Sequence, residues 1–179
     1  IKAAGFPPVD LDYLRRLGAL ADLSDTDMMR QLRLALLDPA GPTPSVEAIL
    51  HALIPCKYVD HTHADAVVTL SNTPNGTELL QDLFGDEVLI LPYTMPGFVL
   101  ARQVADATLN VDWECLKGIV LLHHGIFTFH EEAEQSYSNM INLVSMAEKR
   151  LATRSAPLRP ISPRDVLGHE ELALAKLRK

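Results

Sequence analysis

The chain has 179 residues, of which 47% are hydrophobic and 22% charged, a balance that suits one soluble globular domain with a core needing no disulfide staples. Its net charge of -7 argues against a nucleic-acid partner, whose footprint is clustered Lys and Arg. The length is short for a (β/α)₈ barrel, and no apolar run reaches the ~20 residues that span a bilayer. The two cysteines, Cys56 and Cys115, make no disulfide framework and read as thiols of a reducing compartment, so a cytoplasmic location is expected. The opening Ile1-Lys-Ala-Ala-Gly5 has neither an initiator Met nor a signal-peptide pattern and reads like the middle of a strand. Some N-terminal structure is therefore expected to precede it.

Taken in chain order, helix and strand alternate. Leu11–Leu17 reads as a short helix, and a stronger one enters through Ser24 and Asp25, with Met28, Leu32 and Leu36 at helical spacing. A third helix is expected from Ser45, as N-cap, to Pro55. A strand over Tyr58–His63 follows, then a helix through Ala66 and Leu70 ending near Asn75–Gly76, and another over Glu78–Phe84 stopped by Gly85. Glu87–Leu91 is strand-like and Phe98–Leu109 helical. Gly118–His123 is a continuous apolar run, the mark of a strand covered on both faces, and Gly125 is placed to turn the chain before the extended Ile126–Phe129. The longest helix is expected over Glu131–Arg150. Ser155–Pro163 reads as a linker and Leu167–Leu177 as a short terminal helix. The whole is one α/β domain, residues 1–153, followed by a tail, 154–179.

The histidines carry the chemistry. His61 and His63, at i and i+2 on a strand, point to one side of the sheet, and His123-His124 closes the buried strand. Three neutral imidazoles with an open position is the usual arrangement of a catalytic zinc. Polar packing is the competing reading, and the residues alone leave both open. Glu47 shares a helix face with His51 at i+4 and reads either as a general base or as a dipole-favoured surface residue. There is no His-Glu-x-x-His helix, and no Gly-x-Gly-x-x-Gly follows a strand.

Three motifs in order, Pro44-Ser-Val-Glu-Ala-Ile-Leu-His51, Val59-Asp-His-Thr-His63-Ala-Asp-Ala and Gly118-Ile-Val-Leu-Leu-His-His-Gly125-Ile-Phe-Thr-Phe, resemble the class II aldolase/adducin family over most of residues 1–150. Asp25-Thr-Asp-Met-Met, Leu37-Asp-Pro-Ala-Gly-Pro-Thr-Pro and Pro92-Tyr-Thr-Met-Pro-Gly-Phe98 narrow the likeness. They are similar to the aldolase-like half of bifunctional aldolase/short-chain dehydrogenase proteins, related to rhamnulose-1-phosphate aldolases.

The resemblance implies a three-layer α/β/α sandwich with a central mixed sheet and, beyond the tail, a dehydrogenase domain. It implies zinc, or another divalent metal, on His61, His63 and His124, with Glu47 as catalytic acid/base, its pKa raised by the closed site near the metal-bound substrate. Tyr93 would be a proton donor reaching a neighbouring subunit of a homotetramer, and His123 a structural support for the ligands. The phosphate of a small phosphorylated sugar would lie near Gly5 and Ser45. The reaction implied is cleavage of a ketose 1-phosphate, with zinc as electron sink for the enediolate. Epimerisation of a sugar phosphate and a non-catalytic, adducin-like scaffold are the alternatives. Two departures from the family's pattern bear on the phosphate rather than the metal residues: Lys2–Gly5 lacks a hydroxyl residue before the glycine, and His130 stands where Gly is common.

Overall fold

Alternation along the most apolar run of the chain decides the architecture. Ile119 and Leu121 join one buried cluster and Val120 the other, so this strand is sandwiched between two apolar layers. The computed structural model describes residues 5–154. Its strands are β1 (Tyr58–Thr62), β2 (Val88–Leu91), β3 (Gly118–Leu121) and β4 (Gly125–His130), in the sheet order β1-β4-β3-β2. β2 and β3 run parallel while β4 is antiparallel to both β3 and β1, which makes the sheet mixed.

Helices α1 (Leu11–Gly18), α2 (Asp25–Leu34), α3 (Ala48–Leu53) and α6 (Phe98–Ala107) pack on the face bearing Ile119, Leu121, Phe127 and Phe129. Helices α4 (Asp65–Ser71), α5 (Gly76–Phe84) and α7 (Ala133–Arg154) cover the other, around Val120 and Ile126. This is the α/β/α sandwich that the resemblance implies. Among the described residues no helix is long and apolar enough to cross a membrane. The linker over 155–163 and the helix over 167–177 lie outside the described residues.

Local chemistry sets most boundaries. Ser24 Oγ accepts the Asp27 N–H at 3.1 Å, the cap expected for α2. Gly85 ends α5 at φ +60°, where a side chain is disfavoured. Other boundaries differ from expectation. α3 begins at Ala48 rather than Ser45, because Ser45 instead caps a turn: its Oγ takes the Glu47 N–H at 3.2 Å and its carbonyl the Ala48 N–H at 3.0 Å. α4 stops at Ser71, short of Asn75, and α5 starts early, at Gly76. The chain doubles back there so tightly that a Cβ on Gly76 would lie 2.6 Å from the Ser71 carbonyl oxygen. α6 ends at Ala107, before Leu109, where Thr108 Oγ1 turns back to donate to the Val104 carbonyl at 2.8 Å. β3 stops at Leu121, two residues before His123, because the hairpin turn has already begun.

One buried polar link fixes α7 to the sheet. Ser136 Oγ donates to Asp60 Oδ2 of β1 at 2.6 Å, and the Ser136 carbonyl accepts from Thr128 Oγ1 of β4 at 3.0 Å.

Candidate metal centre

Four side chains from separate segments meet at one end of the sheet. His61 lies on β1, His63 just past its end rather than on it, His124 in the β3–β4 turn, and Glu47 at the mouth of α3. Antiparallel register brings them together: Thr62 pairs with Ile126, so the end of β1 lies beside the start of β4. Gly125 makes the approach possible. A Cβ there would stand 2.6 Å from the Thr62 carbonyl oxygen, 2.8 Å from His63 Cδ2 and 3.1 Å from His61 Cε1. The turn itself is made by His123, at φ 59°, and not by Gly125 as expected. That conformation costs a residue with a Cβ on the order of 1–2 kcal/mol.

One ligand atom from each of Glu47, His61, His63 and His124 lies within 4.8 Å of every other. The three imidazole centroids are 4.9 Å (His61–His63), 5.4 Å (His61–His124) and 4.8 Å (His63–His124) apart, each pair edge-to-face. His61 is fixed on both sides. Its ring stacks on Phe127 at 3.9 Å, the cross-strand partner in the β1–β4 register, and its Nδ1 lies 3.0 Å from the Ile126 carbonyl oxygen. A carbonyl only accepts, so Nδ1 carries the proton and Nε2 presents a lone pair to the cluster. That Nε2 is buried without a hydrogen-bond partner, 3.3 Å from Glu47 Oε1. A lone pair facing a carboxylate is relieved by a proton or by a cation on the nitrogen. Imidazole nitrogens with a carboxylate suit a borderline divalent ion such as zinc, so the residues present fit the implied metal.

In the metal-free chain the cluster favours an ionised Glu47. The Glu47 carboxyl is held down to about 2, first by the His61 imidazole 3.3 Å away, with burial opposing, and then by His124. His124 Nε2 lies 2.7 Å from Glu47 Oε1. Burial pushes the His124 imidazole below its ordinary range, against the pull of Glu47. Burial does the same to His51, which packs edge-on against Phe127 at 5.3 Å.

The cluster opens on a cleft of about 600 Å³ whose walls include Gly5, Thr43, Ser45, Glu47, Asp60 and His61. The two residues expected at a phosphate thus share a cavity with Glu47, the expected acid/base, and with His61, one of the three expected metal ligands. Tyr93 does not join them. It is 52% exposed beyond β2, its ring 6.1 Å from that of His123. Sequence reasoning missed two members of the surroundings. Phe127 is legible as the partner of His61 only once the register is known, and Thr43 stands in the Leu37–Pro44 motif with no role attached to it.

Comparison with known proteins bears on the family and the fold. Residues 10–151 match the family described as Class II Aldolase and Adducin N-terminal domain. The uncharacterized oxidoreductase YuxG of Bacillus subtilis (strain 168) is 32% identical over 154 residues, which cover 86% of this chain and 22% of that protein. The chain thus spans about a fifth of the length of this curated relative. The N-terminal class II aldolase domain of a conserved protein from Thermoplasma acidophilum superposes with a TM-score of 0.76 at 34% identity, covering 84% of this chain and 68% of that one. A sugar-phosphate aldolase from Thermotoga maritima shares the fold at TM-score 0.52 and 19% identity, covering 68% of this chain and 60% of that one.

Proposed function

Because this chain belongs to the class II aldolase and adducin family, we propose that it is a zinc-dependent aldolase reversibly cleaving a phosphorylated ketose to dihydroxyacetone phosphate and an aldehyde. The observation that carries this reading is the convergence of Glu47, His61, His63 and His124, with the bare Nε2 of His61 aimed into the group. A purely scaffolding domain has no need of three imidazoles and a carboxylate in contact.

His61, His63 and His124 would hold the metal. When bound, it supplies Lewis-acid polarisation of the substrate carbonyl. The chain's own residues supply the proton movements. In the condensing direction the Glu47 carboxylate, ionised across the neutral range, accepts a proton from the carbon beside the carbonyl. That carbon then bonds to the aldehyde carbon, and the aldehyde oxygen takes a proton from the Tyr93 hydroxyl of a neighbouring copy. Cleavage runs the same transfers backwards. Ser45 Oγ already accepts the Glu47 N–H, so its own O–H is left to donate to the substrate phosphate, with Gly5 giving the phosphate close access to backbone. We read the assembly as a homotetramer in the cytoplasm. The tail from 154 onward is read as leading to a short-chain dehydrogenase domain, a reading supported by the oxidoreductase relative of which this chain covers 22%.

The test is incubation of the metal-loaded protein with dihydroxyacetone phosphate and a small aldehyde. A new carbon–carbon bond is the expected result. Interconversion of sugar phosphates at one carbon, without bond formation, would favour the epimerase, and turnover of neither would favour the scaffold.

A further inference from the structure

The left-handed residue of the β3–β4 hairpin is held from outside the hairpin. The His123 N–H donates to Ser71 Oγ at 3.1 Å, and its ring Nδ1–H donates to Asn72 Oδ1 at 2.6 Å. Ser71 is buried, and its own O–H is committed to the Val68 carbonyl at 3.0 Å, so a lone pair faces His123. Both residues stand at the C-terminal end of α4, a helix that begins at Asp65, two residues after His63. One short helix therefore leaves the strand end bearing His63 and grips the turn bearing His124.

The hairpin closes without this grip. Its ladder pairs Leu121 with Gly125, the His124 N–H reaches the Leu121 carbonyl at 3.1 Å, and the Leu122 N–H reaches that of Leu91 at 3.0 Å. What Ser71 and Asn72 add is the left-handed setting of His123, a conformation that a residue with a Cβ abandons unless its surroundings impose it. Relaxing it rotates the next peptide and swings the His124 ring. We propose that Ser71 and Asn72 are positioning residues of the metal centre, fixing through His123 where the His124 imidazole stands relative to His61 and His63. The inference rests on the metal reading above.

The test is titration of the full chain with Co²⁺ alone, followed by the visible absorption of the bound ion, which reports ligand geometry. Ser71→Ala and Asn72→Ala are expected to bind cobalt about tenfold more weakly, as loss of groups that support a ligand typically does. The absorption band shifts in both, and the metal-free melting temperature of Asn72→Ala stays near that of the parent, since Asn72 is exposed. His123→Gly, which adopts the left-handed setting unaided, is expected to restore affinity in the Ser71→Ala background. Parental affinity and spectrum in Asn72→Ala overturn the proposal, even if Ser71→Ala fails to fold. A parent chain that takes up no cobalt removes the metal reading and this inference with it, whereas binding indifferent to the variants removes this inference alone.

Discussion

Gly125 shows how much of the centre depends on an atom that is missing. Its φ is not in the left-handed region, so alanine is excluded by contact and not by conformation. The Thr62 carbonyl at 2.6 Å belongs to the β1 backbone, which pairs with β4 and has little room to retreat. Gly125→Ala is expected to destabilise the fold by about 1–3 kcal/mol, the usual cost of overpacking, and to weaken metal binding, both readable from one melting series with and without zinc. Unchanged melting and affinity would show that β1 yields. The titrating residues make a second prediction. His51 and His124 are kept neutral by burial, while in the unfolded chain each takes a proton near its ordinary value of 6.5. The unfolded state then binds more protons, so the metal-free protein loses stability as pH falls below about 6.5 and through the depressed folded values. Glu47 acts in the same direction at lower pH: its contribution is whole above its ordinary 4.5 and is lost as pH falls through about 2. Melting temperatures in chelator are expected to fall steadily from pH 7 to pH 5, and a flat profile would contradict the assignment.

Among the elements, α7 is tied to the sheet by Ser136, which bonds β1 through Asp60 and β4 through Thr128. Ser136→Ala leaves the Asp60 carboxylate short of a partner beside the cleft and is expected to cost about 1–3 kcal/mol in chemical denaturation. An unchanged midpoint would mean that water replaces the hydroxyl. The elements themselves were largely legible. Periodicity located α1, α2 and α7, and the unbroken apolar run over Gly118–Leu121 announced a strand buried on both faces. The residues whose roles the sequence does not predict are those governed by distant partners. Gly125 reads as the hairpin's turn because glycine tolerates positive φ, yet His123 makes the turn, held by Ser71 and Asn72 across the chain. Ser45 looked like the start of α3 but caps a turn that sets Glu47 at the helix mouth. The identities of the clustered imidazoles were legible in the motifs. Their spacing was not, since it follows from the β1–β4 register, which no local pattern encodes.

At the scale of the whole molecule the exposed apolar surface bears on assembly. Tyr93 is 52% exposed, and Met95 (70%) and Val99 (65%) beside it are exposed too, an apolar surface away from the cleft. If Tyr93 serves a neighbour's site, Glu47→Gln and Tyr93→Phe homomers are each expected to be strongly impaired, general acid–base groups commonly contributing ~10²–10⁴-fold. Mixing and reassembling the two is expected to recover part of the activity, in oligomers where an intact Tyr93 faces an intact Glu47. No recovery on mixing would place both roles within one copy or remove Tyr93 from the chemistry. Beneath all of this lies one claim, that imidazoles from β1 and from the β3–β4 turn share a single divalent ion. Metal analysis of the purified protein beside its His61→Ala variant, both confirmed folded by circular dichroism, tests it most directly. The expected result is one zinc, or equivalent divalent ion, per chain in the parent and almost none in the variant. A parent that stays metal-free after reconstitution, or a variant that holds as much metal as the parent, would contradict it.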